Sequence, residues 1–310
     1  MIRVSPPVQA ALARGEAVVA LESTVLTHGL PRPDNLALGR RLEAVVREVG
    51  AVPATVAVLS GELHVGIDDD AMRHLAESAD AAKASLWNLA ALVASGADAG
   101  TTVATTLHAA ARAGIPVFAT GGLGGVHGEP YDESADLTAL ARESVVTVCA
   151  GPKSVLDVAA SLERLETSGV CVAGWRSDTL AGFLTPLTDL PLAVRCDEVE
   201  QVASLLHTQR DLGLPGGVVL SRPEHDGMAA ERVRELLAAV HADARLAGVR
   251  GKDVTPYLLR RLSERSDGET VRVNLRLLEG NARLAAEVAI AIARQREIRA
   301  ASTSPNEVPA

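Results

Sequence analysis

Short apolar runs and longer runs of helical period alternate along almost the whole chain. AVVALES (Ala17–Ser23), TVAVLS (Thr55–Ser60), IPVFAT (Ile115–Thr120), VVTVCAG (Val145–Gly151), VCVAGW (Val170–Trp175) and GGVVLS (Gly216–Ser221) read as buried strands. Helix-patterned segments lie between them, and three long ones occupy the last third to about residue 298. A chain that keeps passing from strand to helix to strand folds into a largely parallel sheet covered by helices. TVAVLS and ELHVGI (Glu62–Ile67) flank Gly61 closely enough to read as a strand pair. Asp34 is the expected cap of a helix ending at Gly50, and Asp68–Asp70 of a shorter one. No Gly/Ser/Pro-rich linker and no internal repeat divides the sequence. The expectation is one α/β domain over residues 1–297, with a polar, Pro-containing and disordered tail over 298–310.

In such a fold the loops after the strands' C-terminal ends gather on one edge, where active sites form. The unusual polar residues follow this rule: ESTVLTHG after the first strand, GGLGGVHGEPYDESAD after IPVFAT, and PKS after VVTVCAG. Composition sharpens the last of these. The chain holds 30 basic residues, of which three are lysine: Lys83, Lys153 and Lys252. A surface cation can be either residue, but a guanidinium stays protonated and forms no imine. Gly151-Pro152 forces a turn before Lys153 and places it at the expected first turn of a helix over 154–167. There the positive end of the helix dipole favours a neutral amine. Lys153 therefore reads as an imine-forming or general-base amine, or else as a solvated anion-binding cation.

The other candidates are each open to a structural reading. Glu22 ends an apolar strand and is either a hydrogen-bonded carboxylate or a general acid of raised pKa. GGLGGVHG (Gly121–Gly128) lacks the Lys-Ser/Thr of a P-loop. Its glycines either approach an anion, with His127 as a further donor, or form a flexible turn. YDESAD (Tyr131–Asp136) either caps a helix at Ser134 or offers oxygen ligands to a water-rich Mg²⁺ or Mn²⁺. Asn274 and Asn281, seven apart, serve a substrate or an inter-helix hydrogen bond.

Several classes are disfavoured. Net charge of −9 argues against a phosphate-backbone binder, and 2% aromatic residues against base-stacking platforms. No apolar run reaches the ~18–20 residues of a membrane span. Pro and charges interrupt the N-terminus where a signal peptide needs an apolar core. Cys149, Cys171 and Cys196 show no C-x-x-C pattern and read as reduced. A cytoplasmic enzyme with a small-molecule substrate, no nucleic acid and no membrane partner is expected.

ALESTVLTHGLP, GAVPATVAVLSGELHVG, DAGTTVATT, VFATGGLGGVH, DESADL, VCAGPKSVLD, LETSGV, GKDVTPYLL and VNLRLLEGNARLAAEVA run in order over about residues 5–295. Together they resemble the pseudouridine-5′-phosphate glycosidases, a family that includes indigoidine synthase A-like proteins. The resemblance implies a three-layer α/β/α sandwich around a largely parallel or mixed sheet, assembled as a homotrimer. It implies reversible cleavage of the C–C glycosidic bond of pseudouridine 5′-phosphate to uracil and ribose 5-phosphate. Named in the synthetic direction, such an enzyme is a carbon–oxygen lyase. It assigns Lys153 as the imine-forming nucleophile and Glu22 as the proton donor. It places Lys83, Val103, Ser134, Ala135 and Asp136 at the substrate, together with Thr120, His127 and Asn274, and Asp132 at one Mn²⁺ per subunit. Departures are present: Ser85-Leu86-Trp87-Asn88-Leu89 stands where the family carries a Ser-Arg-Arg-Asp-Leu-like run, and Gly128 where it often carries Arg. Both remove positive charge near the expected phosphate. The rival readings are another lysine-imine sugar-phosphate lyase and a non-catalytic nucleotide-binding protein.

Overall fold

The computed structural model describes residues 2–128, 131–249 and 254–303. Its strands in chain order are β1 (Ile2–Val4), β2 (Val18–Leu21), β3 (Val52–Leu59), β4 (Glu62–Val65), β5 (Ala82–Ala84), β6 (Ala99–Thr101), β7 (Val117–Ala119) and β8 (Val126–His127). They continue with β9 (Asp132–Glu133), β10 (Val146–Cys149), β11 (Cys171–Trp175), β12 (Thr179–Gly182), β13 (Thr185–Pro191), β14 (Val194–Cys196) and β15 (Val218–Ser221). The main sheet has eleven strands. Its spine runs β1-β4-β3-β2-β7-β10-β15-β11-β14, and β6 and β5 branch from β3. From β3 through β2 to β14 every pairing is parallel. At the other end β3 runs antiparallel to β4 and to β6, so the sheet is mixed. The expected strand pair about Gly61 is present as β3–β4.

The central strands are apolar on both faces, as in a sheet covered on both sides. Val19 and Leu21 of β2 join one core with Leu38, Leu42 and Val45 of the helix Asp34–Val49, and with Leu277, Ala285 and Val288 of the last helix. Val18 and Ala20 join the other core with Leu107 and Ala110 of the helix Val103–Ala113 and Leu137 and Leu140 of the helix Ala135–Arg142. Two cores on opposite faces of one sheet make the three-layer α/β/α arrangement. With so few aromatics, both cores are built mainly of Ala, Val and Leu, with Phe183 in one and Phe118 in the other. Each fully buried Val or Leu contributes about 1.5–3 kcal/mol.

Three local expectations need correction. Asp34 is the first helical residue, not the cap; Pro33 holds the cap position and no side chain bonds there. The helix expected over 154–167 begins at Val158, with Asp157 accepting from the Ala160 N–H. The last helix runs from Glu269 to Thr303, so residues 298–303 are helical rather than part of a disordered tail. Residues 304–310 lie outside the described residues, as does Lys252. No described helix is long and apolar enough to cross a membrane.

Candidate active site

The site grows from a split in the sheet. β2 pairs with β3 only as far as Leu21–Thr55, and beyond that point β6 takes over the same edge of β3 at Ala57 and Val58. Ser23 fills the gap where the two meet. Its hydroxyl donates to the Val56 carbonyl at 2.5 Å and accepts from the Thr101 N–H at 2.9 Å. Gly100 is needed here, because a Cβ would lie 2.3 Å from Thr27 Oγ1 and 2.8 Å from the Ser23 carbonyl. β5 then pairs parallel to β6 with Lys83 opposite Gly100. The branch thus carries Lys83 to the edge where Glu22 leaves β2. Asn88 braces the turn, accepting from the Ser85 N–H at 2.8 Å and donating to the Lys83 carbonyl at 3.1 Å.

Thr120, just past β7, donates its buried hydroxyl to Glu22. Lys153, just past β10, lies within electrostatic reach of Glu22. Its N–H donates to the Leu123 carbonyl at 3.0 Å, and Ser154 bonds the Gly182 carbonyl at 2.8 Å and the Leu184 N–H at 3.2 Å. These bonds hold residues 152–156 as a turn between the glycine loop and β12. Lys153 is therefore not at a helix start, and the helix-dipole reason for its placement does not apply.

Glu22, Lys83, Asp136 and Lys153 lie within electrostatic reach of one another. Burial pushes the Glu22 carboxyl above the ordinary glutamate range; Lys153, the Thr120 hydroxyl and Lys83 oppose that rise, and Asp136 adds to it. Lys83 faces solvent, yet its amine is held below the usual lysine range. The loss of water around it is the main cause and Lys153 the second, against Asp136 and Glu22. These strand ends thus bring together two lysines, a carboxyl inclined to keep its proton, and the buried side chain of Asp136.

Asp136 is a clamp. One oxygen accepts from the Ala104 N–H at 3.0 Å, next to Val103 at the start of its helix, and the other from the Gly124 N–H at 2.8 Å. Ser134 caps the helix that opens at Ala135, accepting from the Asp136 N–H at 3.2 Å. The glycine loop is packed rather than flexible. A Cβ on Gly122 would lie 2.6 Å from the Phe183 ring, and one on Gly124 2.3 Å from Ser134 Oγ. Several of its N–H groups already have protein acceptors: Gly151 for Leu123, Asp136 for Gly124 and Ser161 for Val126. Asn274 flanks this loop, with its Oδ1 3.3 Å from the position of a Cβ on Gly121.

His127 and Asp132 face each other across the β8–β9 hairpin. His127 is buried, bonded through Nε2 to Thr255 Oγ1 at 3.0 Å, and burial lowers its pKa against the pull of Asp132. Asp132 is exposed. Among the described residues no three His, Cys, Asp or Glu side chains converge as a metal cage. An exposed carboxylate still suits a hard cation that keeps most of its waters. Cys149 is a free, buried thiol pushed up to about 12 by burial, and Cys171 and Cys196 are also free.

Sequence reasoning missed the contributors that have no motif of their own. Phe183 reaches Gly122 from the β12–β13 turn, and Thr101 and Ser23 close the split. Arg222 bonds Asn281 from the end of β15. A buried Asn is costly without partners, and that cost was the one signal for Asn281; its Nδ2 donates to the Thr120 carbonyl at 2.8 Å.

The family model for indigoidine synthase A like proteins matches residues 7–291. A pseudouridine-5′-phosphate glycosidase of Thermus thermophilus is 55% identical over 278 residues, covering 90% of this chain and 98% of that protein. One from Symbiobacterium thermophilum is 44% identical over 301 residues, covering 94% and 98%. Among solved structures, the prealnumycin C-glycosynthase AlnA in complex with ribulose 5-phosphate superposes with a TM-score of 0.89 at 33% identity, covering 96% of this chain and 99% of that one. An indigoidine synthase A-like protein from Thermotoga maritima gives 0.86 at 32% identity, covering 95% and 97%. The chain belongs to the indigoidine synthase A-like family.

Proposed function

We propose that this protein is a pseudouridine-5′-phosphate glycosidase that reversibly converts pseudouridine 5′-phosphate and water to uracil and ribose 5-phosphate through an imine on Lys153. The observation that carries the reading is the meeting of Lys153, Lys83 and a Glu22 of raised pKa at one strand edge. The names of the relatives at 55% and 44% identity support the substrate.

A C–C glycoside has no leaving oxygen, so a pair of carboxylates working on the glycosidic bond is not enough. The ring must open first. Glu22 gives its proton to the ribose ring oxygen as the C1′–O bond breaks, and uracil electrons fill the vacancy at C1′. The Lys153 nitrogen adds to C1′ through its lone pair and returns those electrons to the base. The proton shed by the added amine, relayed by the Glu22 carboxylate, goes to uracil C5, and the nitrogen lone pair then forms C1′=N while the C1′–C5 bond breaks towards uracil. Water hydrolyses the imine, releasing ribose 5-phosphate and restoring the amine. The addition at C1′ and the imine that follows both require an amine, and arginine cannot supply it.

In this reading Lys83, with the backbone about Val103, Ser134 and Ala135, receives the substrate. Asp136 holds the Gly124 and Ala104 N–H groups in place and offers its remaining lone pairs. Thr120, His127 and Asn274 line the same edge. Asp132 would be the one protein ligand of a Mn²⁺ otherwise held by water, and the ion when bound would polarise a uracil carbonyl. Named for synthesis the activity is that of a carbon–oxygen lyase, and the working assembly is a homotrimer in the cytoplasm.

The test is uracil release from pseudouridine 5′-phosphate with Mn²⁺, wild type against Lys153→Arg. Release by the wild type and none by the variant is expected. No release by well-folded wild type contradicts the reading, and full activity in Lys153→Arg contradicts the imine.

A further inference from the structure

Behind the site lies an ion pair that the proposed chemistry does not use. Arg222 and Glu224, just past β15, have side chains 15% and 11% exposed and meet at 2.7 Å. The guanidinium lies flat against the last helix at Gly280, where a Cβ would come within 2.3 Å of it. Its Nε donates to Asn281 Oδ1 at 2.8 Å and its Nη1 to the Pro223 carbonyl at 3.1 Å. Asn281 is fully buried, and its amide faces the other way, donating to the carbonyls of Thr120 at 2.8 Å and Gly121 at 3.3 Å. Thr120 in turn donates its hydroxyl to Glu22. An unbroken run of polar contacts thus joins a buried charge pair to the carboxyl at the front of the sheet.

A buried ion pair is weak evidence of stability, because desolvation offsets its attraction. Its geometry shows what it orders. The Arg222 guanidinium, held by Glu224 and the Pro223 carbonyl, fixes the Asn281 oxygen through its Nε–H, so that the amide N–H groups point at the turn after β7. We propose that Asn281, oriented by Arg222, is a positioning residue for the reaction: it fixes the backbone from which the Thr120 hydroxyl reaches Glu22. The inference rests on Glu22 as the proton donor of the reading above. The charged groups facing Glu22 are Lys153, Lys83 and Asp136, and each comes from a different element than the network.

The test follows the Glu22 carboxyl directly, by ¹³C NMR of glutamate-labelled protein, alongside the pH profile of kcat/KM for uracil release. Thr120→Val removes the hydroxyl and raises the Glu22 midpoint by about one pH unit. Thr120→Ser restores the wild-type value. Asn281→Leu, near in size and uncharged, moves the midpoint in the same direction as Thr120→Val, and the double variant adds little to either single change. Arg222→Lys, which keeps the charge beside Glu224 but not the fork, gives a smaller shift of the same sign. Midpoints at the wild-type value in Asn281→Leu and Arg222→Lys, with only a lowered Tm, overturn the proposal. Additive shifts in the double variant overturn the route through Thr120. Should Asn281→Leu not fold, Arg222→Lys decides in the same terms. Absence of uracil release in the wild type would defeat the functional reading while leaving the NMR comparison able to judge this one.

Discussion

The Thr120 hydroxyl crosses from the end of β7 to Glu22 at the end of the neighbouring parallel strand β2. This contact opposes the burial that raises the Glu22 pKa. Its loss leaves Glu22 protonated to higher pH but poorly aimed. Thr120→Val is expected to lower kcat by about 10–100-fold, a loss of about 1.4–2.7 kcal/mol of transition-state stabilisation, with a smaller change in KM. Steady-state kinetics of uracil release across pH measures both.

Glu22 also makes stability depend on pH. A carboxyl whose native pKa is raised favours the folded state below its unfolded pKa, and that contribution is lost as pH rises through the native value. Glu22→Gln is therefore expected to gain stability relative to wild type at pH 8 and little at pH 4. Tm measured for both proteins at the two pH values checks the difference, and a gain confined to low pH would contradict the assignment.

The clamp at Gly124 is rigid on both sides. A methyl group there meets Ser134 Oγ at 2.3 Å and Asp136 Oδ2 at 2.7 Å. Gly124→Ala is expected to cost about 1–3 kcal/mol of stability by urea titration. Uracil release should fall beyond what the folded fraction explains, because the methyl crowds Asp136 Oδ2 away from the residue-124 N–H.

Asp132 is exposed, and its replacement should leave stability within about 0.5 kcal/mol. Chelation is expected to stop uracil release and Mn²⁺ to restore it. Asp132→Asn should raise the Mn²⁺ concentration needed. Activity that survives exhaustive chelation would remove the metal from the scheme.

Much of this site was legible because strand ends are marked by composition. LES, FATGG and CAGPK each close an apolar run, and parallel pairing brings those three ends side by side. What stayed hidden depends on tertiary bonds. Pro152, Lys153 and Ser154 look like a helix start, yet Ser154 bonds Gly182 and Leu184, Leu123 pairs with Pro152, and the helix waits for Asp157. The strands β5 and β6 are three residues each, too short to leave a period, so the branch that delivers Lys83 could not be read from AAKASLWNLA. Asn281 and Arg222 lie 59 residues apart and meet only in the fold.

The central claim is that Lys153 forms the covalent bond. It is tested most directly by borohydride trapping during turnover of pseudouridine 5′-phosphate, followed by peptide mapping. The expected result is one reduced ribose-phosphate adduct on the peptide carrying Lys153, formed as uracil appears and absent in Lys153→Arg. An adduct on Lys83 or Lys252, or uracil release with no adduct and no loss in Lys153→Arg, would contradict it.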